Sequence, residues 1–110
     1  MCIQQSLDKE FRCTYNLAVE CEWDPAKAQE NLRVHGVNFA VAAGVFDNPY
    51  LQWEDFDAEG EQRFVATGMD GLGRLLVVVY TYRKGKRSLI SARKAARKEG
   101  KEYAQRVRFQ

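Results

Sequence analysis

The run Arg74-Leu75-Leu76-Val77-Val78-Val79-Tyr80-Thr81-Tyr82-Arg83-Lys84-Gly85-Lys86-Arg87-Ser88-Leu89-Ile90-Ser91-Ala92 decides the fold. The apolar block at residues 75–80 has the length and β-branched content of a central strand covered on both faces. It is far too short to cross a bilayer, and no membrane association is expected. Lys84-Gly85 is a tight hairpin signal, so residues 86–92 are expected to return antiparallel to residues 74–83. Working outward, residues 62–69 alternate as a strand, and Asp70-Gly71-Leu72-Gly73 supplies the turn that follows. Residues 50–54 read as a further short strand, and residues 55–61 as an acidic loop. Connections this short force antiparallel neighbours, because parallel ones need long crossovers.

Ahead of these strands, Leu17, Val19 and Cys21 alternate with Ala18, Glu20 and Glu22, the period of a first strand running into Trp23. Asp24-Pro25 then opens a helix, with Asp24 as cap and Pro25 at the first helical position. Lys27, Glu30, Asn31 and Arg33 are expected to face outward, and Ala28 and Leu32 inward. His35-Gly36 ends this helix. Asn38 can cap a second one over residues 39–46, with Phe39, Ala43 and Phe46 on one face, before Asp47-Asn48-Pro49 stops it. Residues 93–108 read as a last helix, weakened by about 1 kcal/mol at Gly100 relative to alanine. The order is β-α-α-β-β-β-β-α. The fold class is α+β: an antiparallel sheet of four to five strands covered by two N-terminal helices and one C-terminal helix. Residues 1–16 are expected to be a loose extension, and 17–110 a single domain, as the length of 110 residues suits.

The net charge of +2 conceals a split. Residues 1–82 carry six Lys/Arg against thirteen Asp/Glu, whereas residues 83–110 carry eleven against two. A dipolar surface with one anion-seeking face follows, suited to RNA or another polyanion, although a solvated basic helix would look the same. Cys2, Cys13 and Cys21 form no paired motif and read as free thiols, which together with the lack of a secretory signal points to the cytoplasm. A single histidine and scattered cysteines do not make a catalytic zinc site. Asp55, Asp57, Glu59 and Glu61 have the composition of a hard-cation loop but not the spacing of one. No phosphate-cradling loop or nucleophile elbow is present. Neither a cofactor nor a metal is expected.

Chemistry that cations alone support is left. Cleaving RNA needs no metal, because the 2′-OH is an internal nucleophile beside the phosphorus. The protein must hold the strand, exchange protons and stabilise charge on the phosphorane. Arginine suits the last task, since its planar fork binds two phosphate oxygens and keeps its proton. Arg83, Arg87, Arg93, Lys94 and Arg97 crowd the last hairpin and the helix that follows. Tyr80, Tyr82 and Tyr103 are available to stack on bases, or to pack in the core. Arg87 and Ser91, four apart on a strand, are expected to share a side and form a cationic rail. His35 has the reference pKa for proton exchange, yet a histidine in a last helical turn also serves as a cap.

Several pieces of the chain resemble the BrnT toxin family. They are Glu22-Trp23-Asp24-Pro25-Ala26-Lys27 with Asn31, then His35-Gly36-Val37-Asn38-Phe39, then Val45-Phe46-Asp47-Asn48-Pro49. Arg63-Phe64 with Gly68, the strand from Gly73 to Thr81, and Ile90-Ser91-Ala92-Arg93-Lys94-Ala95 continue the match, in order and spacing. The resemblance runs over residues 20–103, whereas family members usually begin close to the Glu-Trp-Asp-Pro string.

Membership implies the toxin half of a bacterial type II toxin–antitoxin pair, with a fold similar to the RelE ribonucleases. It implies RNA cleavage that arrests translation, neutralisation by a cognate BrnA-like antitoxin, and contact with operator DNA only through the antitoxin complex. The resemblance carries His35, Arg63, Arg87, Arg93 and Lys94 over as catalytic positions; the roles expected from their side-chain chemistry are arginines on the phosphate and His35 or Lys94 handling a proton. Lys27, Arg83, Ser91, Arg97 and Tyr103 are expected to bind RNA. The competing reading is a non-catalytic module that binds nucleic acid or an antitoxin in operon autorepression.

Overall fold

The computed structural model describes residues 19–56 and 60–107. Its central hairpin forms as the turn chemistry demands. β4 (Leu75–Arg83) and β5 (Lys86–Lys94) pair antiparallel with Arg83 opposite Lys86. Lys84 and Gly85 between them both take positive φ, 53° and 79°, as a two-residue turn matched to strand twist requires. β3 (Gln62–Met69) joins β4 through the Asp70 turn. There the buried Asp70 carboxylate accepts from Leu72 N at 2.8 Å and from Arg74 N and Nε, each at 2.9 Å. Burial raises the Asp70 pKa, but these hydrogen bonds outweigh it and hold the carboxyl below its ordinary range.

β2 (Tyr50–Phe56) pairs with β3, and β1 (Cys21–Glu22) lies at the opposite edge, giving the order β1-β5-β4-β3-β2. β1 runs parallel to β5, with Cys21 opposite Arg87. The sheet is therefore mixed, not antiparallel throughout as expected. Two helices and three strands separate β1 from β5 in the chain, which is crossover enough for a parallel neighbour. Residues 1–18 lie outside the described part, and with them the expected extension and the start of the first strand.

α1 (Pro25–His35) keeps its expected ends: Asp24 Oδ1 accepts from Ala26 N at 2.9 Å, and Gly36 takes a φ of 71°. Its faces are corrected. Asn31 is buried and Leu32 is 49% exposed, the reverse of the polarity expectation. The cause is the edge of β5. β1 ends at Glu22, opposite Ser88, so the backbone of β5 farther along has no strand beside it. The Asn31 amide takes that place. It donates to Ala92 O at 2.9 Å and accepts from Ala92 N at 3.0 Å, and its second N–H reaches Val37 O at 2.9 Å.

The second helix divides into α2 (Phe39–Ala42) and a 3₁₀ helix (Ala43–Asp47). The tighter pitch stacks Ala42 and Val45 over the sheet, both fully buried, and leaves Ala43 and Phe46 half-buried. Close approach here requires Gly68, since a Cβ on it would lie 2.8 Å from Tyr50 Cβ and 3.0 Å from Val45 Cγ1. Val37, Phe39, Ala42 and Val45 pack with Leu76, Val78 and Tyr80 on one face of the sheet. α3 (Arg97–Val107) lies against β2 and β3 on the other face, with Gly100 beside Leu75. It starts later than expected because β5 runs on to Lys94. Among the described residues no helix is long and apolar enough to cross a membrane.

Asn31→Ala leaves the Ala92 and Val37 backbone groups without their partner and is expected to lower stability by about 2–4 kcal/mol. Leu32→Ala, on the same helix but exposed, should lower it by under about 1 kcal/mol. Urea denaturation of both variants checks the clamp, which an Asn31 variant as stable as the parent would refute.

Candidate nucleic-acid interface

A bulge in β5 decides which side chains meet. Val79 pairs with Ser91 but Tyr80 with Leu89, so Ile90 is an extra residue and the alternation of faces reverses across it. Arg87 and Leu89 share the face of Tyr80 and Tyr82, whereas Ser91 and Arg93 share the opposite face with Val79 and Val77. The expected rail of Arg87 and Ser91 on one side is thereby corrected.

Arg87 sits between Cys21 on β1 and Tyr82 on β4. Its guanidinium carbon lies 4.1 Å from the centroid of the Phe46 ring, a cation–π contact. Nη1 donates to Val19 O at 3.4 Å and Nη2 to the Tyr50 hydroxyl at 3.3 Å, both long, and Nε has no partner among the described residues. A guanidinium has five N–H donors; Nε is buried from solvent, and one N–H on each of Nη1 and Nη2 is left for an anion. Burial alone would lower the Arg87 pKa, but the Tyr50, Tyr82 and Tyr80 hydroxyls turn the net shift upward, and the group stays cationic. Burial likewise raises the Cys21 thiol, against the pull of Arg87.

An aromatic cluster surrounds this arginine. Phe46 meets Tyr50 and Tyr80 edge-on at centroid separations of 5.1 and 5.0 Å, and Phe64 stacks on Tyr80 at 5.7 Å. Tyr80 is fully buried and its hydroxyl donates to Gln52 Oε1. Burial first, then the Tyr82 and Tyr50 hydroxyls, push its pKa well up, so it remains neutral. Of the three tyrosines considered for stacking, Tyr80 is core. Tyr103 is half-buried on α3 with its hydroxyl donated to Pro49 O at 2.9 Å, which leaves Tyr82, 43% exposed.

The other expected site residues lie elsewhere. Arg93 and Lys94 are six and seven positions along β5 from Arg87, about 20 Å at strand rise, and point to opposite faces from each other. The Arg93 fork is closed by Glu99 on α3, Nη1 to Oε1 at 2.9 Å and Nη2 to Oε2 at 2.7 Å. Glu99 Oε1 also accepts from Ala96 N at 2.7 Å, capping α3. Arg97 and Lys94 are exposed near this latch, and Arg83 and Lys27 are exposed at the end of β4 and on α1. Arg63 stands opposite Asp55 and 3.9 Å from Glu61, on the face away from Arg87. His35 is exposed at the end of α1, one turn beyond the Asn31 that grips Ala92.

Sequence reasoning missed Phe46, Tyr50 and Cys21 as neighbours of Arg87, and Gln52 as the partner of Tyr80; the alternation of β2 from Tyr50 onward was the signal available for Tyr50 and Gln52. Among the described residues no three His, Cys, Asp or Glu side chains group to hold a metal ion, and Asp57 and Glu59 of the acidic loop lie outside them.

The fold defines a small α+β protein, with three α-helices on a five-stranded mixed sheet among the described residues and Arg87 set in an aromatic cluster on one face. Residues 23–99 match the family described as the ribonuclease toxin BrnT of a type II toxin–antitoxin system, and the chain belongs to that family. The crystal structure of the Brucella abortus ribonuclease toxin BrnT is similar at 23% sequence identity, covering 72% of this chain and 99% of that one with a TM-score of 0.54. At that identity the likeness is one of fold. No curated protein matches the chain. The family's description implies an RNA substrate and an antitoxin partner.

Hydrogen bonds from Arg93 lower the Glu99 pKa from 4.5 to about 2, against burial. A depressed carboxylate stabilises the fold above its unfolded value and loses that contribution as pH falls from about 4.5 toward 2. Thermal midpoints measured across this range should fall more steeply for the parent than for Glu99→Gln. Equal slopes would remove the latch from the acid response.

Proposed function

We propose that the chain is a metal-independent endoribonuclease toxin in which Arg87 holds the scissile phosphate. The 2′-oxygen of the substrate attacks phosphorus and the 5′-oxygen departs, leaving a 2′,3′-cyclic phosphate. Arg87 supplies the charge that stabilises the phosphorane, the task a metal ion performs elsewhere. One observation carries this reading: among the described residues Arg87 is a half-buried guanidinium held over Phe46 with donors to spare, whereas the Arg93 fork is filled by a carboxylate.

Lys94 lies too far along β5 to exchange a proton at a phosphate on Arg87, and His35 stands by the Asn31 end of α1. We assign that exchange to solvent and to the Tyr50 hydroxyl bonded to Arg87. Lys27, Lys94 and, at the hairpin end, Arg83 then guide the strand, whereas Arg63, Arg93 and Arg97 belong to the face away from Arg87. A likeness to the RelE ribonucleases, a cytoplasmic setting, neutralisation by a BrnA-like antitoxin and operator contact through that complex belong to the same reading.

The test is cleavage of purified RNA with and without EDTA. Arg87→Ala should lose about 10²–10³-fold in kcat, and EDTA should change nothing. Arg93→Ala should lose far less. An Arg87 variant with parental activity, or activity abolished by EDTA, would overturn the mechanism. RNA bound but left intact would favour the non-catalytic binding module.

A further inference from the structure

We infer that Tyr82 is the stacking platform for the base next to the scissile phosphate, which makes unpaired RNA the substrate. The inference rests on Arg87 as the phosphate site. Tyr82 and Arg87 are directly opposed on β4 and β5 and share a face, so their Cβ atoms stand about 5 Å apart. A phosphate on the guanidinium therefore leaves its neighbouring base, one sugar away, over the tyrosine ring.

The ring is placed in advance. Phe64 meets it edge-on at 5.1 Å and Tyr80 at 5.8 Å, with interplanar angles of 74° and 83°. Little freedom is left for a base to remove on stacking, yet 43% of the residue is exposed. The alternatives fail on geometry. Trp53 is as exposed but pairs with Val65, on the other face of the sheet. Phe56, at the end of β2, is on the correct face but three strands from Arg87, about 14 Å across the sheet.

Every nucleobase has a π-face, so stacking here tolerates sequence, but a base inside an A-form duplex has both faces covered. The site thus selects for unpaired strands.

Anisotropy of a fluorescein-labelled single-stranded 2′-O-methyl oligoribonucleotide, which cannot be cleaved by 2′-OH attack, separates binding from chemistry. Tyr82→Leu keeps apolar bulk against Phe64 and Tyr80 but has no aromatic face, and should weaken binding by about 5- to 100-fold. Tyr82→Phe should stay within about threefold of the parent, and Tyr82→Trp should bind at least as tightly, which holds the test if the leucine variant folds poorly. The matched duplex should bind more weakly than the single strand.

Parental binding by Tyr82→Leu, equal losses in Tyr82→Phe and Tyr82→Leu, or equal binding and cleavage of the duplex would each overturn the stacking site. Binding that depends on Tyr82, with the cleavable oligonucleotide left intact, would sink the ribonuclease mechanism and leave the stacking site standing. Cleavage by the parent with Tyr82→Leu unaffected would do the reverse.

Discussion

The structure depends on one side-chain amide. Asn31 completes the backbone pairing of β5 where β1 has run out, through two bonds to Ala92 and a third to Val37. Each bond is worth little net, but a buried N–H or C=O left without a partner is expensive, so the three together fix where α1 lies. That choice propagates. α1 sets the path of β1 and of the turn into α2, and those bring Val19 and Phe46 to the guanidinium of Arg87. A polar contact at the Ala92 end of β5 thus supports a cationic site near the other end of the same strand.

The two arginines of β5 show how surroundings divide identical side chains. Arg93 has met a carboxylate with the geometry to saturate its fork, and the pair ties the end of the strand to the cap of α3. Arg87 has met an aromatic face, a carbonyl and a phenol, none of which neutralises it. The first arrangement is a fastening. The second keeps a full charge half-buried among apolar rings, where a fixed cation acts on a ligand more strongly than it would in water.

The parts of the fold read correctly from sequence are those whose chemistry is local. The Asp24-Pro25 start and Gly36 end of α1, the Lys84-Gly85 hairpin and the Asp70 turn each follow from a few adjacent residues. Asn31 was misread because its partner Ala92 is 61 residues away, and polarity alone pointed it at water. The parallel edge strand has the same origin, since nothing in Cys21-Glu22 announces a partner at Arg87-Ser88. At the candidate site, Arg87 and Tyr82 were named from composition and motif. The bulge at Ile90 that puts Arg87 on the tyrosine side has no signature in a run of ordinary strand formers, and the rings around the arginine arrive from separate elements.

The bond between Arg87 and Val19 joins positions 68 residues apart, and this separation bears on the order in which a ribosome makes the chain. β1, Phe46 and Tyr50 are synthesised early, but β5 comes near the end. A nascent chain can carry helices and the β2–β3 hairpin while its cationic cup does not yet exist. The cup closes only when β5 docks between β4 and β1, a long-range step that follows synthesis of nearly the whole domain. A chain interrupted before residue 86 has no such cup, however well its earlier elements have folded.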